Sequence, residues 1–138
     1  LFRVEDLSVD TCAEAISETV SLMRRVAPQL SQVILTVSPI RHKSYGLHAD
    51  KLSKATLLLA CDKIVNSDPG SITYFPSYEI MMDDLRDYRF YASDMTHPSD
   101  VAVDYIYDIF SRTFYSDTTM REAATRLREF RRSLHRPR

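Results

Sequence analysis

With 138 residues, 44% of them hydrophobic, and a formal net charge of -1, the chain is long enough for one domain with a modest core, which argues against disorder. Two glycines, Gly46 and Gly70, are too few for a phosphate-cradling loop, so nucleotide binding through a P-loop or a dinucleotide fingerprint is disfavoured. The charge is unevenly spread: from Asp117 onward seven arginines stand against Asp117, Glu122 and Glu129, which leaves this tail at +4 and the body before it at -5.

Residues 1–10 lead into a helix, with Asp10 or Thr11 as the expected cap. Ala13, Ile16, Val20, Met23 and Val26 then recur at spacings of three and four, the apolar stripe of an amphipathic helix that runs to about Ala27 and stops at Pro28. The β-branched run Gln32–Val37 predicts a strand of the continuous apolar kind found in sheets covered on both faces. Ser38-Pro39 ends it, and residues 40–48 form a polar loop with Arg41, His42, Lys43 and His48. Ligands of open α/β sheets bind beyond the carboxyl ends of strands, which makes this loop a candidate for chemistry.

Leu52 to about Val65 predicts the next helix, with Ala55, Leu58, Leu59, Cys61 and Ile64 as its broad apolar face. Asn66-Ser67-Asp68-Pro69-Gly70 supplies turn chemistry, and Ile72–Phe75 reads as a second strand ended by Pro76. Helix, strand, helix, strand in that order implies a parallel sheet with crossover helices. Residues 77–91 are dense in aromatics, acids and arginines, and read as a lid or wall over a site more than as a core element. Val101–Phe114 predicts a helix that turns Val101, Tyr105, Ile109 and Phe110 toward the sheet. A last helix begins near Thr118, with Ala124, Leu127 and Phe130 as its seam.

Cys12 and Cys61 fall among apolar residues in helical patterns, the setting of buried free thiols rather than of a disulfide framework. That usage, with no signal peptide and no apolar run long enough to span a bilayer, suggests a cytoplasmic protein. The missing initiator methionine before Leu1 suggests a piece of a longer protein. His42 and His48, with Asp50 near, lack zinc-ligand spacing, so neither a metal nor another cofactor is expected.

The most suggestive chemistry is at Asp94-Met95-Thr96-His97-Pro98. A carboxylate three residues before a histidine can fix the imidazole's tautomer and stabilise the imidazolium formed when the ring acts as general base. The bland alternative is an aspartate capping a turn with a histidine packed at a helix start. Hydrogen-bond reach between Asp94 and His97 bears on the catalytic reading, and a His97 buried among apolar side chains favours a non-catalytic module. No serine lies in a Gly-x-Ser-x-Gly elbow. Ser38 is restricted by the proline that follows it, and Ser71 precedes its strand. Arg41 has the donor geometry to hold a carboxylate or phosphate in bidentate fashion.

Residues 33–42, 52–55, 74–79, and the long stretch 85–91 through Asp94-Met95-Thr96-His97-Pro98-Ser99 closely resemble the GSCFA family, which is grouped with the SGNH, or GDSL-like, hydrolases. The resemblance covers most of residues 1–115 and leaves 116–138 as a basic C-terminal helix and tail. It implies an α/β fold, part of a three-layer α/β/α flavodoxin-like domain with a parallel sheet. Asp94 and His97 match the family's late Asp-x-x-His block residue by residue. The naming motif Gly-Ser-Cys-Phe-Ala, with the nucleophilic serine, is absent, as are the Gly and Asn blocks of the oxyanion hole, so the chain resembles the C-terminal portion of the domain.

The expectation is therefore a fragment of a serine esterase, acyl hydrolase or O-acyltransferase, with His97 and Asp94 catalytic and Arg41, His42 and Tyr78 near the substrate. Its substrate in the full-length parent would be a small-molecule or glycan ester. Neither nucleic acid nor a membrane is expected as partner, and an open sheet edge should drive homo-oligomerisation or segment exchange. The alternative from a different class is a non-catalytic binding or interaction module using the basic tail and the arginine-rich wall.

Overall fold

The computed structural model describes residues 5–134, apart from the side chain of Tyr45. Residues 1–4 of the expected leading segment, and Arg136 and Arg138 of the basic tail, lie outside the described residues. The chain divides into two compact units, one ending at Ala102 and one beginning at Val103.

In the first unit, helix α1 (Val9–Val26) is followed by strand β1 (Val33–Leu35), helix α2 (Leu47–Ser67) and strand β2 (Ile72–Tyr74). The two strands pair in parallel, Val33 with Ile72 and Leu35 with Tyr74, so both carboxyl ends point the same way. The core forms where Ala13 and Val20 of α1, Ala60 and Ile64 of α2, and Ile72 of β2 are buried together. Val33, Leu35 and Cys12 pack against them, and Cys61 is also buried.

The cap of α1 is Ser8, whose hydroxyl accepts from Thr11 N at 3.1 Å. Asp10, expected in that role, lies in the first turn and takes Lys63 Nζ at 2.6 Å. A serine immediately before the first helical residue reaches the free amides better than a carboxylate already inside the turn. At its other end α1 is fastened by Arg24, which donates to Asp68 Oδ2 at 3.0 Å and to the Ser71 hydroxyl. Ser71 is thereby occupied structurally, and its hydrogen bond is the main reason the Asp68 pKa is lowered, with Arg24 adding to it.

Several expectations need correction. β1 spans Val33–Leu35 rather than Gln32–Val37, because polar side chains take over pairing beyond Leu35. Thr36 Oγ1 donates to Phe75 O at 2.8 Å, and Ser77 Oγ donates to Val37 O at 2.9 Å. Coverage on both faces does not hold either, since Ile34 is exposed between half-buried Val33 and Leu35. α2 starts at Leu47 rather than Leu52, where Gly46 adopts a φ of 87° that residues with a Cβ rarely tolerate. His48 therefore belongs to a helix, and Leu52, Ala55 and Leu59 are exposed.

A further correction concerns residues 77–91. A short helix α3 (Ser77–Glu79) runs into a π-helical turn (Ile80–Asp84), and a 3-10 turn follows at Tyr88–Phe90. Ile80, Met81, Leu85 and Tyr91 are buried, with Met81 fully enclosed, so the segment is as much core as wall. Its apolar residues lie among charges such as Asp83, Asp84 and Arg86, which remain exposed and mask the pattern in the sequence.

Helix α4 (Asp100–Phe114) begins at the end of the first unit, where Ser99 Oγ accepts from Ala102 N at 3.4 Å. Ala102 is fully buried, whereas Val101, expected to face the sheet, is 64% exposed, and Tyr105 is also exposed. In the second unit, Phe110 packs on Phe114 at 4.9 Å and edge-on to Tyr115 at 5.8 Å. Helix α5 (Asp117–Leu134) follows, capped by Ser116 Oγ, which accepts from Thr119 N at 3.1 Å. Its expected seam of Ala124, Leu127 and Phe130 is exposed. Among the described residues no helix is long and apolar enough to cross a membrane.

Emptying the Met81 site should leave a cavity that the surrounding turn cannot fill. Met81→Ala should lower the unfolding free energy by about 2–5 kcal/mol in urea titrations, while Met82→Ala at its half-buried neighbour costs clearly less.

Candidate active site

The first unit's parallel strands deliver two loops to the same end of the sheet. One follows β1 and carries Arg41, His42 and Lys43; the other is reached after β2 through residues 77–91. This second loop folds back on itself as a small hairpin. Tyr91 bridges Pro98 in antiparallel fashion, Ala92 N donates to His97 O at 2.8 Å, and Ser99 N donates to Phe90 O at 2.8 Å. Asp94, Met95 and Thr96 form its tip.

Asp94 organises this tip with both carboxylate oxygens. Oδ1 accepts from Thr96 N at 2.8 Å and from His97 N at 3.0 Å. Oδ2 lies 2.6 Å from His97 Nδ1. An aspartate can close a turn on its own following amides, and here the closure swings the residue three places on back toward the second oxygen. The turn requires Met95 in the left-handed region, φ 58°, which side chains with a Cβ seldom occupy.

The hydrogen bonds from the His97 amide, the His97 ring and the Thr96 amide, in that order, hold the Asp94 carboxyl far below the usual carboxylate range. An ionised carboxylate only accepts, so the neutral His97 ring must carry its proton on Nδ1. The lone pair is then on Nε2, which no described residue hydrogen-bonds. The His97 and Asp94 side chains are 58% and 49% exposed. The arrangement can do general acid–base chemistry with an oriented imidazole.

Arg41 is brought to the pair, but onto its backbone. Its amide donates to Thr96 O at 3.1 Å, Nη1 to Met95 O at 3.4 Å, and the guanidinium lies 3.7 Å above the Tyr91 ring. His42 is adjacent, with its amide donating to Asp50 Oδ1 at 2.9 Å. Tyr78 has other neighbours: its hydroxyl takes Lys51 Nζ at 3.0 Å, and the ammonium groups of Lys51 and Lys54 lie 5.3 and 6.0 Å from its ring. Ser38 shapes its own loop, its Oγ accepting from Ile40 N at 3.3 Å.

Residues 1–110 match the GSCFA family. The chain belongs to that family. No curated protein and no solved structure matches it. The matched range of this GSCFA chain contains the Asp94–His97 hairpin and the loop that meets it, and stops before α5.

Two supporting groups in the GSCFA chain have no assigned role in the sequence reading. Asp50 is buried at 3% exposure and anchors His42, while Lys54 is buried and donates to Ser38 O at 2.6 Å. Burial lowers the Lys54 pKa, against the raising influence of Asp50. Their spacing of four residues on one helix was the available signal. Among the described residues no cluster of three histidine, cysteine or acidic side chains could hold a metal ion.

Because folding depresses the Asp94 pKa, the stabilisation it brings is complete above the ordinary carboxylate value of about 3.9 and is lost as pH falls through the lower folded-state value. The Thr96 and His97 amide resonances should therefore stay in place as pH is lowered through about 4 and move only in stronger acid. A midpoint at the ordinary value would show that the carboxylate does not hold the turn.

Proposed function

We propose that Asp94 and His97 are the acid–base half of a serine-type ester hydrolase or acyltransferase of the SGNH kind. In this reading His97 Nε2 takes the proton of an attacking serine hydroxyl and returns it to the leaving alcohol, and Asp94 steadies the imidazolium. The observation that carries the reading is the 2.6 Å contact between Asp94 Oδ2 and His97 Nδ1, with Nε2 left open. Asp94 also caps its turn, as the bland alternative has it, but a histidine merely packed at a helix start does not account for the ring contact. The nucleophile and the oxyanion donors belong to sequence outside these 138 residues, and the substrate is a small-molecule or glycan ester.

A larger three-layer domain is part of the same proposal. A two-stranded parallel sheet is marginal by itself, and Ile34 of β1 and Leu47, Leu52 and Leu59 of α2 are exposed apolar groups that further strands and helices would cover. Until they are covered, the isolated chain should self-associate or exchange segments. A second reading, a non-catalytic interaction module, draws on α5, whose Leu127, Phe130 and Leu134 are exposed among arginines.

The 138-residue chain should not turn over a chromogenic ester, and robust His97-dependent turnover by it would overturn the placement of the nucleophile. In the protein extended to include the family's serine motif, His97→Ala should cut kcat by about a thousandfold or more and Asp94→Ala by about a hundredfold or more. Unchanged rates in both variants would remove the hydrolase reading in favour of the interaction module.

A further inference from the structure

We infer that Arg41 and Lys43 are positioning residues for the Asp94–His97 pair, acting through the main-chain carbonyls of its turn; the inference rests on the acid–base reading of that pair. Three consecutive carbonyls are captured by this one short segment. Lys43 Nζ donates to Asp94 O at 2.9 Å, Arg41 Nη1 to Met95 O at 3.4 Å, and Arg41 N to Thr96 O at 3.1 Å. The guanidinium also lies on Tyr91, a buried ring in the other arm of the hairpin, so Arg41 touches both the arm and the tip.

The turn is thus held from two sides. Asp94 takes the amides of Thr96 and His97, while the loop after β1 takes the carbonyls of residues 94–96. Cationic donors suit carbonyl oxygens at a half-wet surface because a charge-assisted hydrogen bond survives competition with water better than a neutral one. Left-handed Met95 is a strain that persists only where its surroundings impose it, and both peptide groups flanking it are held: the one before by Lys43 at Asp94 O, the one after by Arg41 at Met95 O and by Asp94 Oδ1, which accepts from Thr96 N.

The brace is itself anchored in the helix layer. Buried Asp50 on α2 holds the His42 amide, and buried Lys54, one turn further on, holds Ser38 O at the start of the same loop. Rigid α2 sets the loop, the loop sets the turn, and the turn sets where the His97 ring meets Asp94. Arg41 therefore acts on the geometry of the pair, in place of the direct substrate contact expected from its bidentate fork.

The test reads the ring nitrogens of His97 by 15N NMR in the 138-residue chain, at a pH where the ring is neutral. The wild type should show the proton on Nδ1. Lys43→Ala should weaken that signature, Lys43→Arg should retain it, and the double variant Arg41→Ala/Lys43→Ala should lose it while the amide spectrum stays dispersed. Should Arg41→Ala unfold the chain, exposed Lys43 still reports alone, and a wild-type signature in Lys43→Ala then overturns the inference. It is equally overturned by a folded double variant that keeps the proton on Nδ1. Loss of the signature together with ester turnover indifferent to His97 in the extended protein would instead remove the hydrolase reading and leave the brace standing.

Discussion

A single carboxylate sets the geometry of the candidate site. One oxygen of Asp94 closes the turn by accepting from two amides, and the other accepts a hydrogen bond from the ring of the histidine that the turn brings round. Separate groups for these jobs would let the ring swing relative to its acid. With both assigned to one side chain, the condition that forms the turn is also the condition that orients the base. The coupling explains how a largely exposed pair keeps a defined geometry, since backbone amides compete with water far more effectively when they are held on the same short loop.

That loop hangs from a small scaffold. Parallel pairing of β1 and β2 sends two connections out of the same end of the sheet, and polar side chains take over where the ladder stops. The Thr36 and Ser77 hydroxyls lie 2.6 Å apart, each within hydrogen-bond reach of a strand-end carbonyl, and Lys54 continues the pattern at Ser38. Below them, Tyr74 donates to both oxygens of Glu79, and burial followed by that carboxylate drives the phenol pKa upward. The strand tips are thus finished with hydrogen bonds made by side chains, which frees the loops beyond them to carry chemistry.

The amphipathic helices, the helix–strand alternation and the parallel pairing could be read from the residues, because spacing and β-branching report directly on faces and extended backbone. The acid–histidine contact was also legible, since three residues is the reach of an aspartate across its own turn. What escaped was long-range. Met81 shows no pattern of burial because it sits in a π-helical turn, whose period differs from the helix and strand templates. Arg41, read from the sequence as an anion clamp, also bonds the carbonyls of the hairpin at residues 91–98. Ala55 and Leu59 look like core and are exposed, since the stripe on a helix says which faces are apolar and not which of them this chain covers.

Met95 occupies backbone space that a glycine would enter freely, yet a glycine there would also leave it freely. A side chain in that position restricts the peptide units on either side to a narrow set of angles, once the neighbouring bonds have forced them in. The discomfort of one residue thereby becomes angular precision two residues later, at the ring that faces Asp94.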